Sequence, residues 1–357
     1  MTEAYINRIA TAVPAHDVHQ VFLDFGRTVL RGDNRRQALF DRLVQRSEID
    51  HRYSFLAPAT AGDGVAVDET GFYRFGHFPG TAARMKLFEE LSPRLAAEAV
   101  DTLLVGEDRS RITHLIVTSC TGMSAPGIDL ELIARCRLNS DVERSFIGFM
   151  GCYAAINALK LARHIVRSEP QARVLAVNLE LCTLHLHETD EIEEMLSFLL
   201  FGDGCAATLV SAEPHGVAMD SFHAALVPQT ESLIRWHIRE QGFDMLLSGA
   251  VPGAIQGALR SSRDTILGGR LPREIALWAV HPGGRTVLNA VEQAFSLGPG
   301  DLAASRSILR EYGNMSSGTV MFVLQRLMQD APAGAPGCAM AFGPGLVAET
   351  MQFRMAA

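Results

Sequence analysis

An internal repeat, short but in register, constrains this chain more than any other feature. In the first half a strand, LIVTSCTG at 115–122, precedes a strand–turn–helix, FIGFMGCYAAINALKLA at 146–162. In the second half ALWAVHPGG at 276–284 precedes YGNMSSGTVMFVLQRL at 312–327. Ser119 and Cys152 lie 33 residues apart, and so do His281 and Asn314. In that register Gly122 corresponds to Gly284 and Gly151 to Gly313. So few positions are also compatible with coincidence. Read as a duplication, they predict two related halves, 1–212 and 213–357, divided at the turn cluster SAEPHG (211–216). Cys152 and Asn314 would then stand at equivalent helix starts.

Apolar strands alternate with amphipathic helices along all 357 residues, which predicts an α/β fold. The clearest strands are 114–120, 173–181, 204–211, 275–281 and 338–343; the clearest helices start near Thr81, Cys152, Thr286 and Met315. Hydrophobic residues are 48% and charged residues 20% of the chain, a balance that excludes a disordered one. The net charge of −8 argues against a general binder of nucleic acid or of anionic membranes. The start, MTEAYINRIATAV, lacks the basic and apolar regions of a signal peptide. The uncharged stretch 331–348 is broken by Pro and Gly, so no membrane span is expected. The six cysteines are scattered without a CxxC pair, and a reduced, cytoplasmic protein is the simplest expectation.

Three residues stand at strand-to-helix turns. Cys152 opens a helix with an apolar stripe (Ala155, Ile156, Leu159, Ala162, Ile165, Val166) and the small Ala154 and Ala158. A thiol there sits at the positive end of the helix dipole, which suits a nucleophile accepting an acyl group; the local sequence alone favours the blander reading, a packed helix-start thiol. His281 ends an apolar strand before PGG, at the strand end where open α/β folds bind ligands, or is a satisfied structural histidine. Asn314, in a tight YGN turn before SSGT, reads alone as a helix N-cap.

Taken in order, GFMGCYAAINALKLA, HPGGRTVLNAVE, YGNMSSGTV and AFGPGL (341–346) resemble the type III polyketide synthases, the chalcone/stilbene synthase superfamily, in its bacterial branch. The resemblance covers essentially the whole chain. It implies a thiolase-like fold, layered αβαβα, and a homodimer. It also implies an acyltransferase that condenses malonyl-CoA decarboxylatively and iteratively onto an acyl-CoA starter, then cyclises the chain to a pyrone, resorcinol or phloroglucinol-type product. Cys152 would hold the chain, kept ionised by His281, and His281 and Asn314 would stabilise the enolate left by CO2. No metal or redox cofactor is called for. An initiating ketoacyl-carrier-protein synthase shares the triad but usually follows its histidine with Gln-Ala-Asn, where this chain has Pro282-Gly283-Gly284. Starter delivery by an acyl carrier protein stays open. The intact triad argues against a catalytically silent partner subunit of the same fold.

The resemblance assigns further positions. Phe201, in SFLLFGDG, matches a gatekeeper phenylalanine, whose bland reading is a core Phe beside a Gly turn; a second gatekeeper position falls on Met245. Trp236 stands where plant chalcone synthases have a small cavity residue, Cys120 replaces a pocket threonine and Ala125 a pocket methionine. These departures put a phenylpropanoid starter in doubt. Arg35, Arg42 and Arg46 share one helical face, and Arg42 and Arg46 match positions that contact CoA, while a third basic position falls on Leu39; an ordinary solvated face is the competing reading. In HLHETDE (185–191), His185 and His187 would share one side of a strand and could hold a metal with Glu188 or Asp190, but no matching ligand cluster accompanies them.

Overall fold

The computed structural model describes residues 2–59 and 66–357. Its strands are β1 (Tyr5–Ala12), β2 (His16–Asp17), β3 (Tyr53–Ser54), β4 (His114–Ser119), β5 (Glu143–Gly148), β6 (Val174–Leu181) and β7 (Asp203–Ser211), followed by β8 (Val217–Leu226), β9 (Ile234–Arg239), β10 (Gly242–Leu247), β11 (Leu277–Val280), β12 (Pro336–Gly343) and β13 (Val347–Met355). The helices are α1 (His19–Val29), α2 (Asn34–Ser47), α3 (Thr81–Leu103), α4 (Ile128–Cys136), α5 (Ala154–Ser168) and α6 (Ile192–Leu200), then α7 (Val251–Ser261), α8 (Arg263–Ile266), α9 (Arg285–Phe295), α10 (Ala303–Tyr312) and α11 (Thr319–Asp330).

Strand pairing repeats. In the first half β4 runs parallel to β6, β6 antiparallel to β7, and β7 antiparallel to β1. In the second half β11 runs parallel to β12, β12 antiparallel to β13, and β13 antiparallel to β8. The two sets meet where β1 pairs with β8 through Tyr5–Ala218 and Ile6–Val217. The result is one sheet ordered β11-β12-β13-β8-β1-β7-β6-β4-β5.

The layers follow from alternation of side chains across each strand. Ile116, Ala176, Ala206, Ala339, Ala341 and Phe353 face inward onto α5 and α11. Their neighbours Leu115, Val117, Leu175 and Val177 face outward onto α3 and α4, and Val280, Cys338 and Met340 onto α7 and α9. Two helices therefore lie between two sheet faces, with helices outside each, as an αβαβα thiolase-like fold requires. The alanines 154, 155, 158 and 162 let α5 approach both faces closely, and all are buried. No helix is long and apolar enough to cross a membrane among the described residues.

Candidate active site

Three chain turns bring Cys152, His281 and Asn314 to a single cavity. The chain leaves β5 through Phe149 and Gly151, both with left-handed backbone (φ 56° and 76°), and enters a 3-10 turn, Gly151–Tyr153, ahead of α5. Cys152 thus sits on that turn rather than on the first residue of the α-helix, as its sequence position had suggested. A positive φ at a bulky residue such as Phe149 is costly and persists only where surrounding packing holds it. The second loop in contact is the AFGPGL motif. A side chain at Gly151 would lie 2.1 Å from Pro344, and one at Gly343 would lie 2.8 Å from the Tyr153 ring and 3.2 Å from the Cys152 nitrogen. The two glycines let the loops interlock.

His281 continues the parallel pairing of β11 with β12, its amide donating to Met340 O at 2.8 Å, before Gly284 (φ 144°) turns the chain into α9. Asn314 follows Gly313 (φ 68°) and pairs with the segment before β7: Asn314 N donates to Leu200 O at 2.7 Å and Gly202 N to Asn314 O at 3.0 Å. Asn314 Oδ1 accepts from Ser316 N at 2.8 Å, the cap-like bond expected of its sequence position, which aims the amide nitrogen elsewhere.

All three side chains are buried. Burial pushes the Cys152 thiol up to about 12, against hydrogen bonds from Ser316 and Asn314 that favour the thiolate. The Cys152 Sγ to Ser316 Oγ distance is 3.7 Å. Burial alone pushes the His281 imidazole down to about 3. Neither ring nitrogen of His281 has a hydrogen-bond partner among the described residues, although both are buried. A fully buried imidazole without a partner is expensive, and such groups in native structures call for an explanation.

The cavity also gathers Phe201, Cys120, Met245 and Trp236. Phe201 forms an isolated bridge with Asn314. Trp236 and Met245 face each other across the β9–β10 hairpin, and Trp236 Nε1 donates to Cys120 O at 2.7 Å. Cys120 Sγ accepts from Gly151 N at 2.9 Å, so it touches the turn that carries Cys152. Ala125 does not line this cavity; it is exposed on the loop after β4, contrary to the pocket position expected of it.

Several lining residues escaped the sequence reading. Cys182, read there as structural, lines the cavity, as do Ser316, Phe22 and Phe243. His185 also lines it. The metal-binding alternative placed His185 and His187 on a strand; instead residues Cys182–His185 form a 3-10 turn. His185 Nε2 donates to Thr121 O at 2.7 Å, and its ring stacks on Phe243 at 4.1 Å. Glu188 accepts from Gly76 N and Asp190 from Arg36, so the four side chains do not converge. Among the described residues, His114, Glu143 and Glu169 have ligand atoms within 4.8 Å of one another, at the start of β4 and β5 and the end of α5, away from Cys120 at the far end of β4.

Arg35, Arg42 and Arg46 are exposed on α2, and their side chains make no ion pair among the described residues. Leu39 is exposed on the same helix. Helix α2 packs against α6, whose Glu194 lines the cavity.

The sequence profile of the chalcone and stilbene synthases matches this chain twice, as their N-terminal domain over residues 2–214 and as their C-terminal domain over residues 218–356. Bisdemethoxycurcumin synthase of Oryza sativa subsp. japonica is 32% identical, covering 98% of this chain and 91% of its own length. The alpha-pyrone synthesis polyketide synthase-like protein Pks18 of Mycobacterium tuberculosis is 31% identical, covering 99% of this chain and 91% of its own. Among solved structures, PKS-I of the brown alga Ectocarpus siliculosus superposes with a TM-score of 0.89 at 29% identity, covering 99% of each chain. The type III polyketide synthase domain of Steely1 from Dictyostelium gives 0.90 at 24% identity, covering 99% of this chain and 100% of that one, a likeness of fold.

Proposed function

Because the chain belongs to the chalcone and stilbene synthase family, the type III polyketide synthases, we propose that Cys152 carries the growing acyl chain while His281 and Asn314 drive decarboxylation of malonyl-CoA. The family is one of acyltransferases working on CoA thioesters. The observation that carries the assignment is the buried, unpartnered imidazole of His281 in one cavity with Cys152 and Asn314. Such an imidazole gains its partners when substrate arrives.

In the proposed cycle the Cys152 sulfur attacks the starter thioester as its proton passes to His281; the CoA thiolate leaves and takes that proton. In malonyl-CoA the bond between Cα and the carboxylate carbon then breaks. Its electron pair becomes an enolate at the thioester oxygen, stabilised by an N–H of neutral His281 and by the Asn314 amide. Cα attacks the Cys152-bound thioester, expelling the Cys152 thiolate. The extended chain, now on CoA, can return to Cys152. These steps balance without a metal or a redox cofactor. The apolar ring of Phe201, bridged to Asn314, supports a dry surface at the malonyl carboxylate.

An aliphatic starter is supported by the wall of Ile234, Leu247, Val251, Ile255, Val287 and Phe342. Arg42 and Arg46 would hold the CoA phosphates; their exposure without ion pairs supports it. An acyl carrier protein presents the same phosphopantetheine arm, and turnover of acyl-CoA against acyl-carrier protein separates the two donors. Incubating the protein with malonyl-CoA and C2–C18 acyl-CoAs should release CO2 and yield condensed ketides by mass spectrometry. No CO2 and no ketide from any starter would overturn the reading.

A division into two related halves near residue 212 is supported by the repeated strand pairing. Cytoplasmic location is supported by six free, buried cysteines. A homodimer is supported by the edge strand β5, where Phe146 and Met123 are 43% and 45% exposed and sit together beside Gly148. Sedimentation should give a dimer at micromolar concentration, and Phe146→Asp should shift it toward monomer; a parent protein that sediments as a monomer overturns the dimer.

A further inference from the structure

Behind Asn314 lies a side chain that the decarboxylation chemistry never touches. Arg52 is 0% exposed, a rare setting for a guanidinium. Burial pulls it down only to about 9, so the cation persists at neutral pH. Its stem and one end of its head are committed to the Phe201–Asn314 bridge. A side chain at Gly313 would lie 2.8 Å from Arg52 Cγ, and one at Gly202 would lie 3.4 Å from Arg52 Cβ, so the stem fills the space beneath both. Arg52 Nη1 donates to Phe201 O at 3.2 Å. Phe201 is the residue between the two backbone bonds, Asn314 N to Leu200 O and Gly202 N to Asn314 O.

The other arm of the fork is anchored as firmly. Arg52 Nε donates to His19 Nδ1 at 2.9 Å, and His19, buried and pushed down to about 4, is a neutral acceptor. Asp17 fixes both backbones, accepting from His19 N at 3.0 Å and Arg52 N at 3.3 Å. The guanidinium also lies 5.2 Å from the ring centroid of Phe22, a cavity-lining residue. One planar cation therefore ties the start of α1 to the Phe201–Asn314 bridge. Lysine cannot reproduce this, because a single ammonium lacks the fixed fork.

We infer that Arg52 is a positioning residue for decarboxylation, clamping the Phe201–Asn314 bridge so that the Asn314 amide meets the malonyl thioester oxygen. Geometric precision of this kind governs rate, since a misplacement of about 1 Å can cost on the order of 100-fold. The inference rests on the role proposed above for Asn314, and the test separates the two. Malonyl-CoA decarboxylation is measured for Arg52→Met, Arg52→Lys, Asn314→Ala and each Arg52 variant combined with Asn314→Ala, alongside alkylation of Cys152 by iodoacetamide. If Asn314→Ala decarboxylates normally, the proposed role of Asn314 fails. Given that it does not, Arg52→Met should lose about 30-fold or more in kcat, with KM within about threefold of the parent. Arg52→Lys should lose about tenfold, because charge alone does not restore the fork. Cys152 alkylation should stay within about twofold, which a collapsed site would not allow. In the Asn314→Ala background removing Arg52 should cost little more, the non-additivity expected when one residue acts through the other. Arg52 variants within about threefold of the parent, losses confined to KM, or losses that multiply in the double variants would overturn the inference. Should Arg52→Met not fold, Arg52→Lys and its double variant decide by the same criteria.

Discussion

Cys152→Ala is expected to lower chain extension by about 10⁴-fold or more while malonyl-CoA decarboxylation falls by less than about tenfold. Extension needs a sulfur to hold the acyl group; decarboxylation needs only the donors at the enolate oxygen. The sharpest form of the experiment asks whether another thiol takes over, since Cys120 and Cys182 line the same cavity. Electrostatics argue against it. Both thiols are pushed well up, by burial first and then by the charge of the buried Glu180. The hydrogen bond from Gly151 N to Cys120 Sγ favours its thiolate but does not offset that rise. At Cys152 the influence that follows burial is instead the Ser316 side chain, which favours the anion, as Asn314 also does. Intact-mass measurement after incubation with an acyl-CoA should therefore give one added acyl group on the parent and none on the variant. An acyl adduct on Cys152→Ala, located at Cys120 or Cys182, would reassign the nucleophile.

How much of this site could be read in advance depended on where its parts come from. Strand β6 reads VLAVNLEL and is buried along its whole length, because helices cover both faces of the sheet; such near-continuous apolar runs are legible. Strand β8 turns polar and partly exposed after Met219, and β9, with Arg235, His237 and Arg239, carries little apolar alternation. Neither stood out. Cys152, His281 and Asn314 were legible because each lies at a turn marked by glycine, where the backbone conformation itself leaves a trace. Trp236 and Met245 were placed by resemblance, and their pairing across the β9–β10 hairpin comes from structure. Cys182, His185 and Arg52 had no such marker. His185 earns its place through Thr121 and Phe243, 64 and 58 residues distant. Arg52 earns its place through Phe201, 149 residues away. Contacts across such separations leave no periodicity to read.

Sequence position also could not display the cost of desolvation. A helix-start cysteine beside a histidine suggests a resting ion pair, yet burial of both side chains opposes both charges. Helix α5 begins two residues beyond Cys152, and the dipole that should favour thiolate is set against burial of the side chain. Ionisation is then expected to accompany substrate binding, which the pH profile of Cys152 alkylation tests.

His281→Ala should test that balance and produce the second large loss. Removing one of two donors to the enolate oxygen is expected to slow malonyl-CoA decarboxylation by about 10²–10³-fold. The pH behaviour of Cys152 supplies the complementary readout. With burial pushing the thiol up to about 12 and the imidazole down to about 3, the expected resting state at pH 7 has both groups neutral. Raising pH then increases the thiolate fraction, since deprotonation is still far from complete. Alkylation by iodoacetamide should accordingly climb by up to about tenfold per unit between pH 7 and 10. An imidazolium–thiolate pair behaves oppositely: it is already ionised at neutral pH, so the rate would be flat from about pH 6 to 8. In His281→Ala the climb should persist, because the neutral imidazole was not holding the charge, although decarboxylation is lost. A plateau in the parent that disappears in His281→Ala would establish the ion pair and overturn the neutral resting state.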